Sequence, residues 1–374
     1  MKVVCGKEEL IKGIQIISPA PSSKNTLPVL SNFLFETKGN KIKLSSTDLE
    51  VAISCYVKGE IIKEGEITIP AKRFADIVKE LSSDNEIEIR ADEANHIDII
   101  SGRSKFNLMG ISKTEYPVIP ESPKESSFTV KKEIFASMLK KTIFAASRDS
   151  QRYVLNGVYF IVKDSQLKMV ATDGRRLAYI KTIDIIQSGI EGKAIVPTKA
   201  IGNMLRLLSS DLKSENIQVG ITNNRISVEI DDITLLSTLV EGLFPNYEQV
   251  IPKKPKLKVK LDVKNTLAAV RQMALLVDNP ISSDVSSSIK FHFSPNLLRI
   301  SASAAGIGSG ETELEIEYKN EAAEINFDPK FIKEVLQNID EDFLIFEFTD
   351  SLNPALMSPA KHKDYLCVVM PMRA

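Results

Sequence analysis

A threefold internal repeat constrains this chain more than any other feature. Gly65–Lys72 (GEITIPAK), Gly192–Lys199 (GKAIVPTK) and Ala323–Lys330 (AEINFDPK) each read as an alternating strand, a turn on Pro, Thr or Asp, and a lysine opening a helix. Lys72 and Lys199 lie 127 residues apart, and Lys199 and Lys330 lie 131 apart. Upstream, Val3–Ile17, Phe128–Ala145 and Val259–Leu276 each read as a short strand running into a helix. Ser46-Thr-Asp-Leu49 and Ala171-Thr-Asp-Gly174 recur 125 residues apart, whereas the third copy lacks the pair. A chain of 374 residues divides into two or three domains as a rule. The repeat predicts three, at residues 1–126, 127–253 and 254–374, with Pro120–Ser127 and Ile251–Lys256 as linkers.

Within each copy, apolar and polar residues alternate along Lys41–Leu44, Glu86–Ile89, His96–Ile99, Arg225–Val228, Lys256–Leu261, Glu313–Ile316 and Phe343–Phe348. This period predicts half-buried antiparallel strands. Two helices interrupt the strands of each copy, which makes the fold α+β. The second helices carry apolar stripes: Phe74, Ile77, Val78 and Leu81; Ile201, Met204, Leu205 and Leu208; Phe331, Val335 and Ile339. Thr198 and Asp328 are the predicted N-caps, with Pro329 at the first helical position.

The polar faces of these helices carry positive charge. Lys72 and Lys79, Lys199 and Arg206, and Lys264 and Arg271 are each seven residues apart, two turns along one face. Arg73 adds to the first pair, Lys330 and Lys333 mark the sixth helix, and Lys132, Lys140 and Lys141 mark the third. Acids crowd strands and loops instead, as at Glu60–Glu66, Glu86–Glu93 and Glu311–Glu317. With 48 Lys and Arg against 49 Asp and Glu, the formal charge is only −1. The chain is therefore no uniformly basic binder, yet segregated signs give it a positive helical surface. Such a surface attracts phosphates without reading bases, and salt weakens the attraction. The chain has no Trp and no aromatic-rich basic strand for stacking single-stranded bases, which favours contact with a duplex backbone.

No catalytic constellation emerges. His96, His292 and His362 are isolated, without metal-ligand spacing. Gly306, Gly308 and Gly310 lack the Lys-Ser/Thr of a phosphate loop and read as a hairpin connection, and Thr172-Asp173-Gly174 reads as a turn. Neither a metal nor a cofactor is expected. Three cysteines, Cys5, Cys55 and Cys367, suit a reducing cytoplasm. No apolar run approaches a membrane span and the first 18 residues lack a signal pattern, so a cytoplasmic, non-membrane location is expected.

Leu155-Asn-Gly157, Val170–Ala178 (VATDGRRLA), Phe244-Pro-Asn-Tyr247 and Val368–Arg373 (VVMPMR) together resemble the bacterial DNA polymerase III beta subunits, the replicative sliding clamps. Ser46–Glu50 and Ser101-Gly-Arg-Ser104 extend the resemblance into the first repeat. It implies a head-to-tail homodimeric ring of six clamp domains, with helices lining the hole and antiparallel sheets forming the outer wall. Such a ring encircles double-stranded DNA, slides without sequence preference and tethers the replicative polymerase. A clamp-fold interaction scaffold never loaded on DNA is the alternative. The resemblance also implies an external ATP-driven clamp loader.

By the same resemblance, Lys24, Arg152, Tyr153 and Lys199 occupy DNA-touching positions, joining Lys72, Arg73, Lys79, Arg206, Lys264 and Arg271 of the helical faces. A cleft for short peptides of the polymerase, the loader and other clamp-motif proteins is implied at Leu155, Thr172, Gly174, Arg175, Arg176 and Leu177. Its other wall draws on Pro245, Val250, Leu352, Met370, Pro371, Met372 and Arg373. Met adapts to varied guests, and Arg176 and Arg373 are expected to hold polar peptide groups. Ring closure requires two different complementary surfaces. Phe106 and Leu108, alternating on a predicted edge strand, and Leu275 and Leu276, ending a helix, occupy the implied interface positions.

Overall fold

The computed structural model describes residues 1–20, 27–122, 127–183, 185–187, 191–277 and 288–373. Contacts divide the chain into two compact units: residues 1–134 with 185–239, and residues 135–184 with 240–374. Each unit combines one terminal repeat with part of the middle one. Six α-helices are present among the described residues: α1 (Lys7–Ile17), α2 (Ala71–Glu80), α3 (Lys132–Ile143), α4 (Thr198–Leu208), α5 (Val263–Val277) and α6 (Pro329–Gln337). They fall two to a repeat, as the spacing predicts. No helix among the described residues is long and apolar enough to cross a membrane.

The first unit holds two antiparallel sheets. In one, strands 60–63, 2–5, 87–91, 96–101 and 104–109 lie side by side in that order. The other has nine strands and runs through two repeats, which join where Leu235 faces Ile53. Helix α1 lies so close to this sheet that a Cβ on Gly13 would be 2.5 Å from Val57 Cγ2, so only glycine fits there. Phe35 and Phe74 meet edge to face at 5.2 Å beneath α2.

In the second unit, strands 157–163, 166–172, 176–182, 365–369, 355–359, 343–348 and 257–262 follow one another across one sheet. Two repeats again share it, joined where Arg176 faces Val369. A second sheet has the order 308–315, 297–304, 289–294, 323–327. Phe291, Phe293, Phe327, Phe346 and Phe348 pack into one aromatic core, with neighbouring centroids 4.9–6.3 Å apart.

Helix details depart from the periodicity in places. Asp328 caps α6, accepting the Lys330 N–H at 2.9 Å, and Pro329 follows. Thr198 is not a cap: Pro197 holds that position and Thr198 is the first residue inside α4. The strand before α4 enters the helix directly, as happens at Pro70 before α2. On α4 the buried face takes Leu207 while Leu205 stays half-buried. On α6 it takes Ile332 and Leu336, and Phe331 turns toward a cation.

Candidate functional site

The expected cations are surface residues. Lys72, Arg73 and Lys79 on α2, Arg206 on α4, and Lys264 and Arg271 on α5 are exposed. Among the described residues none of these six forms an ion pair. Lys199 differs, because its ammonium lies 2.5 Å from Asp48 Oδ2 and 2.9 Å from Glu50 Oε2. Partial burial works to lower its pKa, but the hydrogen bonds to Asp48 and Glu50 prevail and raise it. Lys141 is likewise committed, to Asp340 at 2.9 Å and to the face of Tyr365. Lys24 lies outside the described residues.

Arg152 and Tyr153 are exposed on a short helical turn, Ser150–Leu155, whose first N–H groups need a cap. Asp149 supplies it, accepting the Gln151 N–H at 2.9 Å. Arg152 Nη1 donates to the Asp173 carbonyl at 3.2 Å, and its Nε lies 3.8 Å from Asp149 Oδ2.

That carbonyl belongs to the second cluster, in the second unit. Antiparallel pairing brings five strand ends to one edge of the sheet: the starts of 157–163, 176–182 and 355–359 and the ends of 166–172 and 365–369. Leu155, Thr172, Arg175, Arg176, Leu177 and Met370 gather there because each adjoins one of these ends. The Met370 N–H donates to the Arg175 carbonyl at 2.8 Å, and the Met372 N–H to the Asn326 carbonyl at 2.8 Å, which fixes the C-terminal segment. The outer face of the sheet presents Tyr159, Val170, Leu177, Tyr179 and Val368. Phe244 stacks on Tyr159 at 4.7 Å and Tyr247 on Tyr179 at 6.0 Å, so the Phe244–Ile251 segment packs over this floor. Burial pushes the Tyr247 hydroxyl up to about 12. Pro245, Val250, Leu352, Met370 and Arg373 are exposed around it, Leu352 by 72%. Leu155 and Leu177 are buried beneath this rim.

Arg176 corrects an expectation. Its side chain is only 7% exposed and does not reach outward to hold a guest. Nε pairs with Asp173 Oδ2 at 3.1 Å, Nη2 donates to the Phe144 carbonyl at 2.7 Å, and Nη1 pairs with Glu334. The guanidinium also faces the rings of Phe331 at 4.6 Å and Phe144 at 5.5 Å. Arg176 therefore ties the turn before strand 176–182 to α6 and to the residue after α3.

Two open sheet edges form the remaining features. Strand 104–109 ends the five-stranded sheet of the first unit, with Phe106 opposite Ile99 and Leu108 opposite Ile97. Ile97 and Ile99 are fully buried while Phe106 is 40% exposed, so an apolar face runs out to an unpaired edge. In the second unit, strand 308–315 is an edge bearing exposed Glu311, Glu313 and Glu315. Beside it, Leu276 Cδ1 lies 3.1 Å from where a Gly310 Cβ would be, and Leu275 is 83% exposed. Arg152 on Asp173, the acids on Lys199 and the stacked tyrosines were not foreseeable from local spacing. Only the Phe244–Tyr247 motif hinted at them.

Comparison with known proteins completes the picture. Family models for the DNA polymerase III beta subunit match in order: its N-terminal domain to residues 1–120, its central domain to 129–246, and its C-terminal domain to 248–373. The chain is 31% identical to a beta sliding clamp of Chlamydia muridarum, covering 100% of this chain and 99% of that one. It is 33% identical to a beta sliding clamp of Pseudomonas aeruginosa, covering 98% of each. A crystal structure of a P. aeruginosa sliding clamp bound to griselimycin superposes with a TM-score of 0.92 at 32% identity, covering 100% of both chains.

Proposed function

This chain belongs to the DNA polymerase III beta-subunit family, and from that premise we propose how its surfaces divide the work of a clamp. It is a DNA sliding clamp, a processivity factor with no catalytic role of its own. Two copies close head to tail into a ring around duplex DNA, each of the three repeats forming one domain. The open edge at 104–109 of one copy meets the edge at 308–315 of the other, with Phe106, Leu108, Leu275 and Leu276 in the seam. Charge supports that pairing through exposed Arg103 at one edge and Glu315 at the other; Lys105 contributes less because it pairs with Asp98, and Glu311 and Glu313 less because they pair with Arg299.

The observation that carries the DNA reading is the set of exposed helix cations without acidic partners in a chain of net charge −1. Lys72, Arg73, Lys79, Arg206, Lys264 and Arg271 face phosphates, joined by Lys24 and by Arg152 and Tyr153 of the helical turn 150–155. Lys199 contributes less, since Asp48 and Glu50 already neutralise it. A closed ring is retained by topology, so weak contacts suffice and sliding stays fast. The edge cluster around Leu177 and Met370 takes short apolar peptides of the polymerase, of an external loader and of other partners. Leu155 and Leu177 support its floor, and Arg176 supports it from behind.

The test is retention. Protein loaded on nicked circular DNA by its cognate loader should stay bound through gel filtration and run off once the DNA is linearised. Retention that survives linearisation rejects the ring. Neutralising Lys72, Arg206 and Lys264 together should lower the salt slope of binding by about 3, one for each lost phosphate contact. Replacing Leu275 and Leu276 by Asp should give monomers in sedimentation. Deleting Met370–Arg373 should abolish peptide binding and leave the dimer intact.

A further inference from the structure

One turn is built twice in this chain. In the first unit, Thr47 Oγ1 donates to the Val51 carbonyl (3.0 Å) and accepts the Leu49 N–H (3.0 Å). Asp48 Oδ1 accepts the N–H groups of Glu50 (3.1 Å) and Val51 (2.8 Å), and the Thr238 N–H donates to the Glu50 carbonyl (2.9 Å). In the second unit, Thr172 Oγ1 donates to the Arg176 carbonyl (2.6 Å) and accepts the Gly174 N–H (3.1 Å). Asp173 Oδ1 accepts from Arg175 (2.9 Å) and Arg176 (3.0 Å), and Met370 completes the set. The same five hydrogen bonds fix both turns, and the central residue is left-handed in each: Leu49 has φ 78° and Gly174 has φ 87°.

Leu49 shows that this turn tolerates a side chain at its left-handed position, so the backbone alone does not demand glycine at 174. What differs is Arg152. A Cβ on Gly174 would lie 3.1 Å from Arg152 Nη1, which already donates to the Asp173 carbonyl. Among the described residues no arginine rests on the Thr47–Val51 turn, where Lys199 reaches the Asp48 carboxylate rather than its carbonyl. The turn therefore forms without an arginine on its back, and Arg152 is not needed to shape it. Its contact covers Gly174, on the rim of the peptide groove. The hold is light: one neutral carbonyl acceptor and a carboxylate at 3.8 Å, with the side chain more than half exposed. A phosphate, taken by a guanidinium through two charge-assisted hydrogen bonds, competes well against it.

We propose that Arg152 guards the partner-peptide groove in the DNA-free protein and that DNA phosphate draws it away, so that DNA-bound protein takes partner peptides more tightly. This rests on the DNA and peptide readings above. Because coupling between two binding sites is reciprocal, a bound peptide strengthens DNA contact by the same factor. With one light contact to break, the factor is about fivefold, at the low end of such couplings.

The experiment measures fluorescence anisotropy of a labelled peptide from the cognate replicative polymerase, selected for binding the whole protein. It is titrated with free protein and with protein loaded on nicked plasmid and separated from its loader. Wild-type protein should bind the peptide about fivefold tighter on DNA. Free Arg152→Ala protein should already bind about as tightly as DNA-loaded wild type, with no further gain from DNA. Free Arg152→Ala protein that binds no tighter than free wild type overturns the proposal, and this arm needs no DNA. If deletion of Met370–Arg373 leaves peptide binding intact, the groove assignment itself fails, and the two failures are told apart by which variant misbehaves.

Discussion

Truncating Arg176 to Ala tests whether the groove stands on a buried cation. The Arg176 side chain is 7% exposed, and its guanidinium holds Asp173, Glu334 and the Phe144 carbonyl while lying near the rings of Phe331 and Phe144. Burial lowers its pKa and Asp173 opposes that shift, but the guanidinium stays charged in either case, so its burial has to be compensated by its acidic partners. Removing one member of a buried ion-pair network costs about 3–5 kcal/mol, because the remaining charges lose their partner. The Asp173 and Glu334 side chains are 17% and 23% exposed. Water can reach both once the arginine is gone, so the low end applies, about 3 kcal/mol. For a unit of about 185 residues, each kcal/mol moves the midpoint by about 2–4 °C, which places the loss near 9 °C. Differential scanning calorimetry of wild type, Arg176→Ala and Arg176→Lys reads it directly. Lysine keeps the charge but lacks the fork that serves three acceptors, so it should fall between the other two. Peptide affinity should drop with Arg176→Ala, since Asp173 shapes the turn on the groove rim. An alanine variant that melts within 1 °C of wild type would refute the reasoning, because a buried network of this kind cannot lose the cation that pairs Asp173 and Glu334 at no cost.

Three further outcomes follow from the core and its titrating groups. Phe346 contacts four other phenylalanine rings at 5.5–6.0 Å, so Phe346→Ala should cost about 4 kcal/mol in denaturant unfolding. Burial pushes the thiols of Cys5, Cys55 and Cys367 up to about 12. All three should therefore resist iodoacetamide at pH 8 until the protein is unfolded, and fast labelling of the native protein would contradict this. Hydrogen bonds from Leu352 N–H and Asn353 lower the Asp350 pKa, and those from His292 and Lys290 lower that of Glu324. Their contribution is present above the unfolded carboxylate values near pH 4 and is lost as pH falls through the lowered ones. Thermal midpoints should hold from pH 7 to 5 and fall below about pH 4, whereas a rise on acidification would contradict the assignment.

What the sequence disclosed, and what it hid, separates along one physical line. Alternation and helical spacing are local, and strand 343–348 and the second helix of each repeat, α2, α4 and α6, appear where those periods place them. Partners across the fold are not local. The spacing of Lys199 and Arg206 puts both on one helical face, but Asp48 and Glu50, which neutralise Lys199, come from a strand connection some 150 residues earlier. Phe331 falls on an apolar stripe, and no period could say that its ring would serve Arg176. The motif that placed Arg176 in the groove could not show that Glu334 and Phe144 bury it. The internal repeat offers a way past that limit, because it supplies a second copy as a control. Thr and Asp recur at 47–48 and 172–173, and in both places they make the same hydrogen bonds, so the shared residues account for the turn. The residues that differ answer to something other than the turn. Leu49 replaced by glycine at 174 is such a difference, and the atom that a side chain there would meet belongs to Arg152 on the neighbouring helical turn. Divergence between copies that share a backbone thus singles out the position whose surroundings, rather than the turn itself, set the residue, and Arg152→Ala is the variant that tests it.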